Sequence, residues 1–117
     1  MSLRSVSECS HVIISSAAGG TIPIVAAVTS PRQSVALYRM ILTVASAVTV
    51  TLQDTNGGAL SQPFAFGSSG GSITLDTPIN WDPWWVSALG LGMQFNASGM
   101  VQVSADIWYL QGAGAGP

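Results

Sequence analysis

Residues 47–53 read Ala-Val-Thr-Val-Thr-Leu-Gln, so an extended chain carries Val48, Val50 and Leu52 on one side and Thr49, Thr51 and Gln53 on the other. A two-residue period suits a strand with one face on a core and one in water, and no helix can use it. Asp54-Thr55-Asn56-Gly57-Gly58 follows. Asn-Gly supplies the positive φ angles of a tight hairpin, so residues 59–66 should return antiparallel beside the first strand. Pro63 cannot donate to a ladder, which makes the returning strand an edge or bulged strand.

The same texture recurs along the chain. Short β-branched runs are separated by Gly, Pro, Asn and Ser about every ten residues, and helical periodicity is almost absent. The candidate strands are 11–17, 21–29, 34–44, 47–53, 59–66, 72–75, 89–96 and 100–110. This predicts an all-β protein with a single antiparallel β-sandwich of about eight strands. Residues 1–30 read as an N-terminal arm and first strands, 31–112 as the sandwich core and 113–117 as a Gly/Ala tail of one domain. The last strand alternates, with Val101, Val103, Ala105, Ile107 and Tyr109 against Gln102, Ser104, Asp106 and Trp108. Residues 34–44 are apolar on both faces, with Ala36, Tyr38, Met40 and Leu42 on one side and Val35, Leu37 and Ile41 on the other. Only Arg39 and Thr43 interrupt the second face. Such a strand is central in the protein or lies against a neighbour.

Charge is scarce. Of 117 residues 48% are hydrophobic and 7% charged, against about 25% charged in ordinary domains. Eight charged side chains (Arg4, Arg32, Arg39, Glu8, Asp54, Asp76, Asp82, Asp106) serve the whole molecule, and lysine is absent. A folded chain of 12.0 kDa exposes about 6,000 Å², of which these groups cover about 15% at roughly 100 Å² each. A standard interface hides about 800 Å² per partner, so a subunit with two neighbours accounts for much of the rest. Assembly is therefore the favoured reading over a Ser/Thr-coated monomer. A pI near 4.7 and three dispersed arginines argue against nucleic acid. The apolar run 35–50 contains Arg39 and falls short of the ~20 residues of a membrane-spanning helix. Residues 11–28 faintly resemble a signal peptide, but Gly19-Gly20 and Pro23 interrupt them, so no cleaved leader is expected. The tail 111–117 has no anchoring side chain, so whatever orders it is expected to come from outside the subunit.

Catalytic constellations are missing. His11 is the sole histidine and Cys9 the sole cysteine; on a strand they share a face, yet nothing remains to complete a zinc shell or a nucleophile–base–orienter set. The carboxylates fall on separate turns and strands, with Asp54 in the hairpin and Asp76 before a Thr-Pro turn. The glycine clusters lack the lysine and the strand-to-helix setting of a phosphate loop. No enzyme, metal or cofactor is expected. The most informative segment is Pro78-Ile79-Asn80-Trp81-Asp82-Pro83-Trp84-Trp85. Three tryptophans in five positions, stiffened by Pro78 and Pro83, suit a sugar-stacking platform, an interface anchor, or a plug for the open end of the sandwich, with the rings free to divide these roles.

From about residue 35 to 112 the layout resembles small β-sandwich structural proteins of tailed bacteriophages. The matching pieces are ALYRMILTV, the hairpin VTVTLQDTNGGALSQPFAF, ITLD, a loop with DPWW, GLGMQFNAS, and a closing VQVSADIWY. They cover about two thirds of the chain. The resemblance implies a jelly-roll-like sandwich on the virion surface, a capsid decoration (cement) subunit that bridges major capsid proteins as a homotrimer. The expected subunit or capsid interface is the second face of residues 34–44 with Leu37, Arg39 and Ile41, the loop tryptophans Trp81, Trp84 and Trp85, and Trp108 of the last strand. The rivals are a carbohydrate-binding sandwich that uses the tryptophan loop, and a phage tail or baseplate component.

Overall fold

The structure, a computed structural model, describes residues 9–26, 33–76 and 83–113. Trp81 and Asp82, the segment 1–8 with Arg4 and Glu8, Arg32, and the tail 114–117 lie outside the described residues.

Among the described residues nine strands form: β1 (Ser10–Ser16), β2 (Gly20–Val25), β3 (Gln33–Val44), β4 (Val48–Asp54), β5 (Phe64–Phe66), β6 (Gly71–Leu75), β7 (Trp85–Val86), β8 (Met93–Ala97) and β9 (Val103–Ala113). They pair antiparallel in two sheets, ordered β1-β9-β3-β6 and β2-β8-β4-β5, with β7 paired to β3 beside β6. The chain changes sheet at nearly every connection, and its first and last strands lie side by side. Two four-stranded sheets in this order, with β7 as a short addition, are a jelly roll. The expected all-β sandwich is therefore the observed fold. The described part of the first thirty residues contributes strands β1 and β2, one to an edge of each sheet.

Alternation explains the core. Val48, Val50 and Leu52 of β4, Met93, Phe95 and Ala97 of β8, and Val103, Ala105 and Ile107 of β9 are buried between the sheets. Their intervening neighbours face out. The hairpin after β4 forms as expected: Asp54 N donates to Gly58 O (2.9 Å), Gly57 N donates to Asp54 O (3.0 Å), and Gly57 takes φ 89°. The Asp54 carboxylate closes the turn by accepting from Asn56 N (3.0 Å) and Gly58 N (3.1 Å). The returning strand is shorter than expected. Ser61 leaves the ladder to cap β4, its Oγ accepting from Leu52 N (3.0 Å), and Pro63 delays pairing until Phe64.

β3 is central in its sheet, between β9 on one side and β6 and β7 on the other. Its two faces differ from the simple alternation. A register shift between Leu37 and Arg39 against β9 inserts one extra residue, and such a bulge exchanges the faces. Val35 and Leu37 therefore point inward with Met40, Leu42 and Val44. Ala36 and Tyr38 point outward, where Cys9 and Leu110 pack against them. The expected grouping of Leu37 with Ile41 is corrected: Leu37 is fully buried in the sandwich and offers nothing to a partner.

One close approach lies at the end of the β2–β8 pair. The bulge between Pro23 and Val25 brings the backbone of Val25 and Ala26 onto Gly92, where a Cβ would overlap their carbonyl oxygens. Only glycine fits there without moving the end of β2.

Candidate interaction surface

The two outer faces of the sandwich differ sharply. Over β2, β8, β4 and β5 the outward residues are Thr21, Pro23, Gln94, Asn96, Thr49, Thr51, Gln53 and Ala65, neutral throughout. Gln94 Nε2 donates to Gln53 Oε1 across that face (2.9 Å). Over β1, β9, β3 and β6 lie His11 and three of the four charged residues that the structure describes, Arg39, Asp76 and Asp106; the fourth, Asp54, closes the hairpin.

Register builds this second face. His11 lies opposite Trp108, and Trp108 opposite Arg39, so three strands place these side chains in one row. The His11 ring stacks on the indole with centroids 4.4 Å apart and planes 9° from parallel. From the β3 side the Arg39 guanidinium carbon sits 4.6 Å from the Trp108 ring centroid. Trp108 is thus held between an imidazole and a guanidinium, which its π faces favour. Each outer group has an acid beside it. His11 Nε2 lies 3.0 Å from Asp106 Oδ1, and Arg39 Nε lies 3.6 Å from Asp76 Oδ1. Both carboxylates are well exposed, so each pair contributes about 0–1 kcal/mol at most. Arg39 Nε is itself buried and has no hydrogen-bond acceptor within bonding distance among the described residues.

The row continues onto the tryptophan loop. Trp84 Nε1 donates to the backbone oxygen of Asp76 (2.8 Å), and Trp84 N donates to Leu37 O (2.8 Å). Trp84, Asp76, Arg39, Trp108, His11 and Asp106 form one connected belt across the sheet. On this face Ile13 is 73% exposed, and from the tryptophan loop through β7 to the turn after it Trp84 is 42%, Val86 38% and Leu89 64% exposed.

The tryptophans divide their roles. Trp85 pairs with Leu37 on β3 and turns its ring toward the core, edge-on to Phe64 at 6.1 Å. It serves as the plug for that end of the sandwich. Trp84 faces outward. Trp108, named among the interface residues, has both faces covered within the subunit and can meet a partner only by its edge. Ile41 is half-buried on the same outer face between Asp106 and Thr74, and Arg39 is at the centre of the belt. Trp81 lies outside the described residues.

Two groupings escaped the sequence. His11 has an acidic partner 95 residues away, and Asp76 and Asp106, spread over separate elements, come to one face. A His–Asp pair is two thirds of an acyl-transfer relay, but this one lies on an open sheet, its ring flat against Trp108. Among the described residues no three of His, Cys, Asp and Glu converge where they could hold a metal ion. No helix of the described residues is long and apolar enough to cross a membrane. Comparison with protein-family models, with curated proteins and with solved structures found no match to this chain.

Proposed function

We propose that the chain is a non-enzymatic virion structural protein, a capsid decoration subunit that works as a homotrimer and bridges major capsid proteins. The observation that carries this reading is the one-sidedness of the sandwich. A chain poor in charge places most of its described ionic groups, an exposed tryptophan and an exposed isoleucine on the outer face of one sheet and its loop. The opposite face is coated with neutral hydroxyls and amides. A surface made for water would spread its few charges; a surface made for contact gathers aromatics and an arginine in one place. In this reading Val86 and Leu89 hold neighbouring subunits, while the belt from Trp84 through Arg39 to Trp108 meets the shell. Jelly rolls serve in capsids, lectins and enzymes alike, so the fold itself does not choose among functions.

The carbohydrate reading loses ground to the geometry. Trp108 presents no free ring face and Trp85 faces Phe64, which leaves Trp84 as the one outward indole among the described residues. A saturable fluorescence change with a glycan would restore that rival. The test of the cement function is mechanical. Empty shells saturated with the protein should withstand heating or chaotrope at levels that break bare shells; equal fragility of coated and bare shells refutes it.

A further inference from the structure

Among the described residues the four edges of this sandwich are not equally protected. An open edge strand offers unpaired N–H and C=O groups to any passing strand, and proteins block such edges with proline, bulges, charge or brevity. β2 carries exposed Pro23 and a register shift just after it. β5 has three residues, with Pro63 immediately before it. β6 has five residues, starts at glycine and is followed by Asp76, whose side chain is 80% exposed. β1 has none of these. Its seven residues pair with β9 in unbroken register, it contains neither proline nor a formally charged side chain, and Ile13 stands out at its centre 73% exposed. The one titratable group, His11, is turned along the sheet onto Trp108 and Asp106 rather than out over the edge.

The sequence of β1 also matches itself. Reversed about Ile13, Ser10-His11-Val12-Ile13-Ile14-Ser15-Ser16 sets Ile13 against Ile13, Val12 against Ile14, His11 against Ser15, and Ser10 against Ser16. Three consecutive β-branched residues meet three β-branched residues, hydroxyls meet at both ends, and no like charges oppose. Val12 and Ile14 belong to the core side of the sheet and Ile13 to the outer side. A two-fold pairing would therefore extend the core on one face and cover the exposed isoleucine on the other. Cross-strand pairs of this kind are the stabilising unit of antiparallel sheets. Centring on Ile13 works whichever alternate residues of β1 direct their backbone groups to the free edge.

We infer that β1 is an isologous docking edge for β1 of a second copy of this chain, joining the two β1-β9-β3-β6 sheets into one continuous sheet. Such a contact closes on itself and cannot propagate along the same edge. It is separate from the three-fold contact proposed above and would link one trimer to the next. It stands or falls without reference to the shell, because its test contains none.

Light scattering on the purified chain should report a particle with an even number of copies. Ile13→Lys places two ammonium groups face to face across the two-fold while altering a position already open to water, and should cut the particle mass to half or less. Ala65→Lys, exposed on the opposite sheet, should leave it unchanged. In a Cys9→Ser background, Ile13→Cys should be joined into dimers by a short bis-maleimide much faster than Ala65→Cys. An odd number of copies in the unmodified particle, a mass unchanged by Ile13→Lys, or cross-linking no faster than at position 65 would each overturn the inference.

Discussion

Replacing Trp108 by alanine tests whether the belt is a built structure or a chance meeting of side chains. The indole is stacked by His11 at 4.4 Å and covered by Arg39 at 4.6 Å. An aromatic pair of this kind is worth about 0.5–1.5 kcal/mol, and a cation over an exposed ring about 0.5–1 kcal/mol. Two planar neighbours hide about 100 Å² of the indole, roughly half of what a fully buried aromatic hides, which at ~25 cal/mol/Å² amounts to about 2.5 kcal/mol. The area term already contains part of the contact terms, so the expected loss is about 3 kcal/mol rather than their sum. In urea unfolding at fixed protein concentration, with a slope of about 1–2 kcal/mol/M, the midpoint should fall by about 1.5–3 M with the slope unchanged. Trp108→Phe keeps a ring between the two groups and should lose less than half as much. A double-mutant cycle of Trp108→Ala with His11→Ala should return a coupling of about 1 kcal/mol. A Trp108→Ala loss below about 1 kcal/mol, or zero coupling to His11, would refute the sandwiched geometry on which the belt depends.

Other positions separate scaffold from surface. Ser87 is buried, its Oγ accepting from Val35 N (2.9 Å) and donating to Leu91 O (2.8 Å). Ser87→Ala should cost about 1–3 kcal/mol and speed hydrogen exchange at the Val35 amide. Gly92→Ala should cost about 3 kcal/mol or more by driving a methyl into the end of β2. By contrast Gly57→Asn, at φ 89° with open space around it, should stay within about 1 kcal/mol of the parent in the same unfolding assay. Trp84→Ala should weaken shell binding at least tenfold while lowering stability less than Trp85→Ala, because only Trp85 packs against the core.

The strands were legible in the sequence because their signals are local. Alternation in β4 and β9 needs only the period of the chain, and Asn56-Gly57 and Pro63 act on their own backbone. The bulge in β3 was not legible. No glycine or proline marks it, and both readings of residues 34–44 bury apolar side chains equally well. Only the pairing with β9 shows that the faces exchange after Leu37, which moves Leu37 from the proposed interface into the core. The belt was illegible for a different reason. His11, Arg39 and Trp108 come from three strands and Asp76 from the end of a fourth, and their meeting depends on which strands pair and in what register. Individually each gave a weak signal: a lone histidine, one arginine in an apolar run, a tryptophan on the polar side of an alternating strand. That last was the usable clue, since an indole among Gln102, Ser104 and Asp106 needs cover from somewhere. The two-residue β7 was hidden inside what reads as a stiff loop, because Pro83 ends before Trp85 begins its pairing with Leu37.

The central claim is that this chain acts by burying its charged, aromatic sheet face against a capsid. The direct measurement is sedimentation of the purified protein with intact shells that lack it, across a range of protein concentrations. The chain should pellet with the shells and saturate at a fixed stoichiometry, and Trp84→Ala and Arg39→Ala variants should stay largely in the supernatant while Ala65→Lys pellets like the parent. A parent chain that remains in the supernatant at every concentration, or that pellets equally well with both belt residues replaced, would contradict it.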